Sequence, residues 1–217
     1  MSAESGATIA VIDYGAGNLR SIARALAHVA AARPDLTVTV TADPRAIDGA
    51  AAVVLPGVGA AGATMARLDA SGLLDPIGRA ARDGRPFLGV CLGLQLLFDH
   101  LDEDDVPGLG VLPGRVRRLP GGRKVPHMGW NTVRPAAAAW PALAGDDAVP
   151  AHYYFVHSYY ADPDGPATAL VAGTTCYGVE FCSALRREHL WATQFHPEKS
   201  GPAGLALLAA FVAEVLG

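Results

Sequence analysis

A cysteine flanked by glycines follows a short apolar run in Phe87-Leu88-Gly89-Val90-Cys91-Leu92-Gly93. When an apolar strand turns sharply into a helix, the side chain at the turn is held out at the end of the sheet, as in a nucleophile elbow. Gly89 and Gly93 allow the close backbone approach that such a turn needs. The helix N-terminus favours thiolate over thiol, and the Leu92 N–H is available to a developing oxyanion. The pattern favours Cys91 as a nucleophile, although a lone cysteine after an apolar strand is often a small buried hydrophobic residue.

A second motif, His196-Pro197-Glu198, lies far downstream at the end of another apolar run. Pro197 keeps His196 out of the α region, and in extended chain residues two apart project to the same side. His196 could therefore take a proton from Cys91 and deliver it to a departing amine, while Glu198 fixes the imidazole tautomer and stabilises its charged form. His-Pro-Glu alone is typical of an exposed turn. Together with the elbow it predicts a Cys-His-Glu triad.

Length and composition restrict the class of protein. A chain of 217 residues, 51% hydrophobic and 18% charged, predicts a single globular domain over residues 1–217 with a substantial core. The net charge of −4 gives no electrostatic footprint for nucleic acid. No signal segment and no apolar run of membrane-spanning length is visible, so we expect no membrane partner. Three cysteines without zinc spacing indicate a reducing, cytoplasmic location and no metal site.

The hydrophobic pattern changes character near the elbow. Before it, strands and helices alternate, which predicts a parallel sheet covered on both faces. After it, strands separated by Pro/Gly turns predict antiparallel hairpins that extend the sheet. The predicted strands are Thr8–Asp13, Val38–Val40, Ala51–Leu55, Phe87–Val90, Gly114–Leu119, Val125–Val133, His152–Tyr160, Ala169–Thr174, Val179–Ser183 and Leu190–Phe195. The predicted helices are about Leu19–Ala31, Met65–Leu68, Ile77–Arg82, Leu92–His100 and Leu205–Leu216, and Pro135–Ala144 is predicted to be a surface loop.

These residues resemble the triad-type (class I) glutamine amidotransferases, whose glutaminase domains carry a G-x-C-x-G elbow and a distal H-x-E. Within that family the chain is similar to the glutaminase subunits of imidazole glycerol phosphate synthase, from histidine biosynthesis. The elbow and triad indicate only the superfamily, whereas two other segments narrow the resemblance to this subunit. Those two segments are Val125–Asn131, which contains Trp130, and Tyr154–Tyr159, which contains His157. The similarity extends over nearly the whole chain, and the other matching segments are Ile12–Asn18, Leu55–Gly59, the elbow with Gln95, and Gln194–Ser200.

The resemblance implies a fold and a set of site residues. The fold is an α/β, flavodoxin-like, three-layer αβα arrangement with a mixed, mainly parallel central sheet and antiparallel hairpin extensions. Cys91, His196 and Glu198 are implied as the catalytic triad, and no metal or organic cofactor is required. The oxyanion site is implied to involve Leu92 and the loop containing Gly57 and Val58. The residues implied to bind glutamine, each of which could instead serve only in core packing, are Gln95, His157, Ser158 and Tyr159.

The resemblance also implies a partner. Free ammonia is largely protonated near neutral pH, so a glutaminase of this kind needs an acceptor enzyme docked over its site. The implied partner is a (β/α)₈-barrel cyclase, in a heterodimer that makes imidazole glycerol phosphate and aminoimidazole carboxamide ribotide. The residues that match family positions at the subunit interface are Asn18, Trp130, Tyr154 and Lys199.

Two other functions stay open on the sequence alone. The chain could be the glutaminase of another amidotransferase, serving anthranilate, guanylate or pyridoxal phosphate synthesis, because all of these share the triad. The segment Met128–Asn131 and the absence of a fused synthetase in the sequence speak against that alternative. The other possibility is a relative without amidotransferase activity, in which the elbow serves a thiol sensor or a peptidase.

Overall fold

Strands and helices alternate through the first part of the chain. The structure is a computed structural model that describes residues 6–15, 19–136, 140, 143 and 151–216. In chain order the elements are β1 (Ala7–Ile12), α1 (Leu19–Ala30), β2 (Leu36–Thr41), α2 (Pro44–Asp48), β3 (Ala52–Gly57), α3 (Ala61–Ala70), α4 (Leu74–Ala80), β4 (Phe87–Cys91) and α5 (Leu92–Gln95).

The rest of the chain is mostly strands. They are β5 (Phe98–Leu101), β6 (Val106–Pro107), β7 (Leu112–Arg118), β8 (His127–Thr132), β9 (Arg134–Pro135), β10 (His152–His157), β11 (Tyr159–Pro163), β12 (Val171–Cys176), β13 (Glu180–Arg187) and β14 (Leu190–Thr193). The 3₁₀ turns Gly165–Leu170 and Pro197–Lys199 and the helix α6 (Gly201–Val215) lie among these strands and after them. Within the described ranges, no helix is both long and apolar enough to cross a membrane.

One large mixed sheet organises these elements. Its main path runs β2-β1-β3-β4-β14-β13-β11-β7-β5-β6, and the first five of these strands are parallel. From β14 onward the pairs β14–β13, β13–β11 and β11–β7 are antiparallel. Strands β8 and β10 form a separate antiparallel ribbon. The prediction of a mixed sheet with a parallel core and antiparallel extensions is confirmed.

The core lies on both faces of the sheet. Side chains alternate along β1, so Ala10 and Ile12 belong to one buried cluster and Ile9 and Val11 to the other. The first cluster includes residues of α2, α3 and α4, and the second includes residues of α1 and α6. Helices therefore cover the parallel sheet on both sides, which confirms the three-layer αβα prediction.

The predicted helix Leu92–His100 is wrong beyond its first turn. Helix α5 ends at Gln95, and the chain enters strand β5 three residues later. The carbonyl of Leu96 accepts the amide of Leu109 at 2.7 Å, and the carbonyl of Leu97 accepts the amide of Val111 at 2.9 Å. A returning segment thus takes the carbonyls that a longer helix would have used. Periodicity could not reveal this competition because the competing donors are distant in sequence.

Two further predictions need correction. His152–Tyr160 is not one strand, because β10 pairs with β8 whereas β11 pairs with β7 and β13, and the chain breaks at Ser158. Pro135–Ala144 is not wholly a surface loop, since Trp140 is 2% exposed and Leu143 is fully buried. Trp140 and Leu143 pack into the core cluster, although most of the residues around them are small alanines. Residues 137–139, 141, 142 and 144 lie outside the described part of the chain.

Candidate active site

Cys91 occupies a sharp turn at the carboxyl end of β4, between the parallel neighbours β3 and β14. Its φ of 55° and ψ of −106° are unusual for a residue with a side chain, and α5 begins at the next residue. A Cβ on Gly93 would lie 1.9 Å from the carbonyl oxygen of Leu55, and one on Gly89 would lie 2.9 Å from the carbonyl oxygen of Gly93. Both glycines are therefore needed for the helix to pack this closely on the sheet.

His196 reaches the same edge of the sheet from the adjacent strand. Strand β14 runs parallel to β4 with Thr193 opposite Val90, so the chain after Thr193 emerges beside Cys91. Pro197 starts a 3₁₀ turn, and His196, the residue before it, has an extended backbone with φ −98° and ψ 98°. Within this turn the Nδ1 atom of His196 lies 2.9 Å from Oε1 of Glu198, and both side chains are nearly fully buried.

The charges around His196 favour its protonated form. Burial by itself lowers the pKa of this imidazole, but the neighbouring Cys91 thiolate and the Glu198 carboxylate outweigh burial and raise its pKa to about 10. Nδ1 is engaged by Glu198, whereas Nε2 has no hydrogen-bond partner among the described residues. Nε2 is therefore the nitrogen that remains for proton exchange with the thiol.

Two glutamines continue the site from the sulfur. Gln194 is fully buried and donates from Nε2 to Sγ of Cys91 at 3.6 Å. Its Oε1 accepts from Nε2 of Gln95 at 3.0 Å, and the same Gln95 nitrogen donates to the carbonyl of Tyr159 at 2.8 Å. The sequence analysis quoted Gln194 only as part of a matching segment. Its position two residues before His196 was the available signal.

A cavity of about 270 Å³ opens over the thiol. Most of the residues predicted from the sequence to bind the oxyanion or the substrate line this cavity. Glu103 and Pro126 also line it, and neither was predicted. A cleft of about 700 Å³ beside strands β5, β7 and β11 is larger, but its lining does not include Cys91. The lining of the smaller cavity comprises Val58, Gly59, Cys91, Leu92, Gln95, Glu103, Pro126, Val156, His157, Ser158 and Tyr159.

Glu103 lies where the β5–β6 turn meets helix α3. It is half-buried, and its Oε2 accepts the backbone N–H of Ala61 at 2.8 Å, at the start of α3. Ala60, the N-cap residue, has no side chain that could make this bond. In the sequence Glu103 stands within Asp102–Asp105, a run typical of a solvated turn, so no local signal distinguishes it.

The loop predicted to take part in oxyanion binding packs tightly against the elbow. Gly57 is opposite Cys91 in the β3–β4 register, and a Cβ there would lie 2.6 Å from Cβ of Leu92. The hydroxyl of Tyr14 donates to the carbonyl of Pro56 at 3.2 Å. Burial raises the pKa of Tyr14 to about 12, and the backbone amide of Val58 partly offsets this effect. Tyr14 thus binds this loop through the Pro56 carbonyl. Val58 lies in the cavity wall, and Leu92 is the first residue of α5.

The predicted interface residues form an exposed aromatic face next to the site. Trp130 on β8 is 57% exposed, and its ring centroid lies 6.1 Å from that of Tyr154 on β10. The Nζ atom of Lys199 is 5.9 Å from the centre of the Tyr154 ring. Met128, which the sequence analysis did not assign to the interface, is 62% exposed on the same strand as Trp130. Asn18, the fourth predicted interface residue, lies outside the described residues.

A family comparison agrees with this arrangement. The sequence model of the class-I glutamine amidotransferases matches residues 10–215 of the chain. The chain belongs to the class-I glutamine amidotransferase family. A likeness at the level of the fold accompanies it, since a crystal structure titled glutamine amidotransferase covers 96% of the chain with a TM-score of 0.72 and 19% identity, and 99% of that structure is covered. A glutamine amidotransferase from Thermotoga maritima gives a TM-score of 0.60 at 17% identity, covering 97% of this chain and 84% of that one.

More similar relatives carry one name. The chain is 49% identical to imidazole glycerol phosphate synthase subunit HisH of Dechloromonas aromatica, over 96% of this chain and 97% of that protein. It is 48% identical to the subunit of the same name in Methanothermobacter thermautotrophicus, over 94% of this chain and 97% of that protein. These identities confirm the resemblance drawn from the sequence motifs, both to the amidotransferase family and to this type of subunit.

Proposed function

We propose that this amidotransferase is the glutaminase subunit of an imidazole glycerol phosphate synthase, which hydrolyses glutamine and passes the ammonia to a (β/α)₈-barrel cyclase subunit in histidine biosynthesis. The observation that carries the proposal is the buried Glu198–His196 pair at the sheet edge that holds the strained Cys91 elbow. The identity of 49% and 48% to two HisH subunits, which extends over nearly the full length of this chain, supports the assignment to this pathway. A cytoplasmic location and a single domain over residues 1–217 stay predictions.

The reaction follows from the proton positions. The Cys91 thiolate attacks the carboxamide carbon of glutamine, and the carbonyl π electrons move onto oxygen to give a tetrahedral oxyanion. Protonated His196 gives its Nε2 proton to the leaving nitrogen, so the C–N bond breaks and ammonia departs. The Nε2 atom of His196 then takes a proton from water, and the water oxygen attacks the γ-glutamyl thioester. The C–S bond breaks, which releases glutamate and the Cys91 thiolate. Glu198 holds the ring of His196 in place through both steps by its bond to Nδ1.

The oxyanion needs donors that are fixed before the reaction. Leu92 is the first residue of α5, so its N–H has no acceptor within the helix. We assign this N–H as one donor and the Val58 peptide, next to Gly57, as the second. The Tyr14 hydroxyl donates to the Pro56 carbonyl, and the Val58 amide in turn acts on that hydroxyl. The direction of the second donor therefore depends on how Tyr14 holds this loop.

The cavity offers matching groups for the rest of the substrate. Both amide protons of Gln95 are committed, to Tyr159 and to Gln194, which leaves its oxygen to accept an N–H from the substrate carboxamide. Glu103 uses Oε2 on Ala61, and its carboxylate in the cavity wall suits the α-ammonium group of glutamine. His157, Ser158 and Tyr159 form the opposite wall, where the backbone of the substrate would lie.

The partner surface is proposed on the exposed aromatic face. Trp130 and Met128 expose apolar area that a cyclase subunit would cover, and Tyr154 and Lys199 lie beside them. Tyr154 also belongs to the strand whose Val156 carbonyl contacts the thiol at 3.8 Å. Ammonia released at Cys91 would therefore have a short path to a subunit docked on this face. Asn18 stays a prediction.

The test is glutamate release from glutamine by the purified chain, measured alone and with a candidate barrel cyclase and its ribotide substrate. We expect hydrolysis that depends on Cys91, is stimulated by the cyclase complex, and is abolished in Cys91→Ala. Trp130→Ala should leave the hydrolysis by the free chain unchanged and weaken the stimulation. Hydrolysis indifferent to the cyclase would refute the partner, and no hydrolysis by a confirmed complex would refute the glutaminase assignment.

A further inference from the structure

Two buried histidines lie at the cavity wall, His157 in its lining and His127 behind it, and the proposed chemistry uses neither as an acid or base. His127 is 3% exposed and His157 is 6% exposed. Strand β8 turns His127 and Asn131 to the inside, whereas Met128 and Trp130 are exposed between them. Nothing in the sequence around His127 predicts a role for it.

The contacts of these histidines form one continuous chain of hydrogen bonds. Nδ1 of His157 lies 2.8 Å from the carbonyl oxygen of Tyr159. Nε2 of His157 lies 2.9 Å from Nδ1 of His127. Nε2 of His127 lies 3.2 Å from the amide nitrogen of Asn131, whose own oxygen accepts the backbone N–H of Thr132 at 2.8 Å.

The Tyr159 carbonyl, at one end of these hydrogen bonds, indicates which nitrogen of each ring carries the hydrogen. A carbonyl only accepts, so Nδ1 of His157 must carry the hydrogen and its Nε2 must be the acceptor. Nδ1 of His127 is then a donor, and its Nε2 accepts from Asn131. The opposite tautomer of His157 would place two donors face to face at His127 and two acceptors face to face at Tyr159. Both rings are neutral in this arrangement, in agreement with burial, which lowers the pKa of His127 to about 4 and that of His157 to about 3.

The chain ends on the wall of the substrate cavity. The Tyr159 carbonyl accepts two hydrogen bonds, from Nδ1 of His157 and from Nε2 of Gln95. His157, Tyr159 and Gln95 all line the cavity, whereas His127 does not. Phe155 and Tyr177 stack on the two faces of His127, with ring centroids 4.8 and 4.0 Å away, so the donor has a fixed direction.

We propose that His127 is a positioning residue for glutamine binding: its Nδ1–H holds His157 in the Nδ1-protonated tautomer, and His157 in turn holds the Tyr159 carbonyl and the Gln95 amide in the cavity wall. The identity of the substrate rests on the proposed function above. His127 itself touches neither the substrate nor the thiol. Its loss therefore acts on the shape of the cavity and on KM, while the Cys91–His196–Glu198 geometry and kcat are retained.

The first test is the tautomer of His157, read in the full-length chain from long-range ¹⁵N–¹H couplings of its ring, with assignment by the His157→Gln variant. We expect the Nδ1–H tautomer in the wild-type chain. In His127→Phe the donor to Nε2 is lost while the Tyr159 carbonyl remains, so we expect the population of the Nδ1–H tautomer to fall. His127→Asn keeps an N–H near the position of Nδ1 and should restore it. An Nε2–H tautomer in the wild-type chain would overturn the proposal.

The second test is steady-state glutaminase kinetics of the complex with the cyclase. We expect His127→Phe to raise KM for glutamine about tenfold with kcat nearly unchanged, and His127→Asn to recover most of the loss. Tyr177→Leu is the matched control, because it removes a stacking contact on His127 and keeps the donor. Equal KM increases in His127→Phe and Tyr177→Leu would show a merely structural role and refute the proposal.

The two tests separate the failure of this inference from the failure of the proposed function. If the wild-type complex does not hydrolyse glutamine, the proposed function fails, and the tautomer measurement still decides whether His127 fixes His157. If the complex is active but His127→Phe leaves both tautomer and KM unchanged, only the inference fails. Thermal unfolding of each variant identifies a chain that has not folded, in which case His127→Asn supplies the decision.

Discussion

The backbone N–H of His196 donates to the carbonyl of Tyr154 at 2.9 Å, which ties the candidate general base to the strand of the exposed aromatic face. The side chain of Ser200 bridges the same two residues. Its Oγ accepts the Tyr154 N–H at 3.0 Å and donates to the His196 carbonyl at 2.6 Å. A partner docked against Tyr154 would therefore contact a residue that is hydrogen-bonded directly to the backbone of His196.

Ser200→Ala tests whether this bridge positions His196. The variant leaves the Tyr154 N–H without its partner, whereas the His196 carbonyl keeps the N–H of Lys199 at 3.0 Å. An unpaired buried donor costs about 1–3 kcal/mol. Ser200 is 2% exposed and does not line the cavity. We expect kcat to fall about tenfold with KM nearly unchanged, because each 1.4 kcal/mol of lost transition-state stabilisation is a factor of ten. Steady-state kinetics and urea unfolding measure the two effects.

Ser183→Ala is the control for Ser200→Ala. Ser183 is fully buried, and its hydroxyl has no hydrogen-bond partner among the described residues. Removing it should leave both kcat and the free energy of unfolding near the wild-type values or slightly improve stability. A Ser200→Ala variant that loses stability but keeps its kcat would show that the bridge serves folding only.

Glu198→Gln tests the charge on the candidate triad. The Glu198 carboxylate helps to raise the pKa of His196 against the effect of burial, so replacing it with a neutral amide should lower that pKa. Less imidazolium then faces Cys91, and the amide, which can present either its oxygen or its NH₂ group to Nδ1, no longer fixes the tautomer of the ring. We expect glutamine hydrolysis to fall on the order of a hundredfold or more.

The pKa of His196 is measured directly by the pH dependence of its ring NMR signals between pH 5 and 10. In the wild-type chain the ring should stay protonated across neutral pH, and in Glu198→Gln its titration should move to lower pH. Glu188→Gln removes the same charge from an exposed position and should change nothing. Identical pH profiles for wild type and Glu198→Gln would contradict the role given to this carboxylate.

The sequence predicts those parts of the fold that local pattern determines. The strand and helix alternation before Cys91 gives each parallel strand to within a few residues, because each of these elements buries a recognisable apolar stripe. The end of α5 was missed because Leu96 and Leu97 bond to residues that are distant in sequence. Ser158 separates two strands that pair in different sheets, and nothing in the local pattern marks that break.

The same distinction applies to the candidate site. Cys91, His196 and Glu198 stand in motifs whose residue types imply chemistry, so they could be proposed before any geometry was known. Glu103 looks like a member of a solvated acidic turn, and His127 looks like an ordinary strand residue. Their significance depends on the Ala61 amide and the His157 ring, two partners that only the tertiary structure supplies.

Gly93→Ala tests the packing of the elbow. The added Cβ would lie 1.9 Å from the carbonyl oxygen of Leu55 and 2.9 Å from its carbonyl carbon, and backbone cannot give way as a flexible side chain would. Helix α5 must shift, so we expect the free energy of unfolding to fall by about 3 kcal/mol or more. Alkylation of Cys91 should slow as well, since the thiol leaves the helix N-terminus.

Gly59→Ala is the comparison for Gly93→Ala. Gly59 has a φ of +106°, so alanine there is strained, but no atom lies within 4 Å of the added Cβ. We expect a loss of about 1–2 kcal/mol, smaller than for Gly93→Ala. Urea unfolding of the two variants gives the comparison, and equal losses would mean that the contact with Leu55 is not what requires glycine in the elbow.

The two buried histidines make stability depend on pH in the acid range. Burial lowers the pKa of His127 to about 4 and that of His157 to about 3, against 6.5 in the unfolded chain. Below pH 6.5 the unfolded state therefore binds one proton on each of these two histidines, whereas in the folded state both rings stay neutral until the pH approaches their lowered pKa values. The stabilisation is complete above pH 6.5 and is lost as pH falls toward 4 and 3, by about 1.4 kcal/mol per pH unit for each histidine. His196 has a raised pKa of about 10, so its contribution is complete below pH 6.5 and is lost at alkaline pH, outside this window.

Urea unfolding at pH values from 4.5 to 7 measures this dependence at constant m-value. His127→Phe should remove about half of the slope, because one of the two protonation sites is gone. His28→Gln, a change at an exposed histidine, should leave the slope as it is in the wild-type chain. A stability that is flat between pH 4.5 and 6.5 would mean that the folded chain protonates the two rings as readily as the unfolded chain does, and that neither is held neutral by its surroundings.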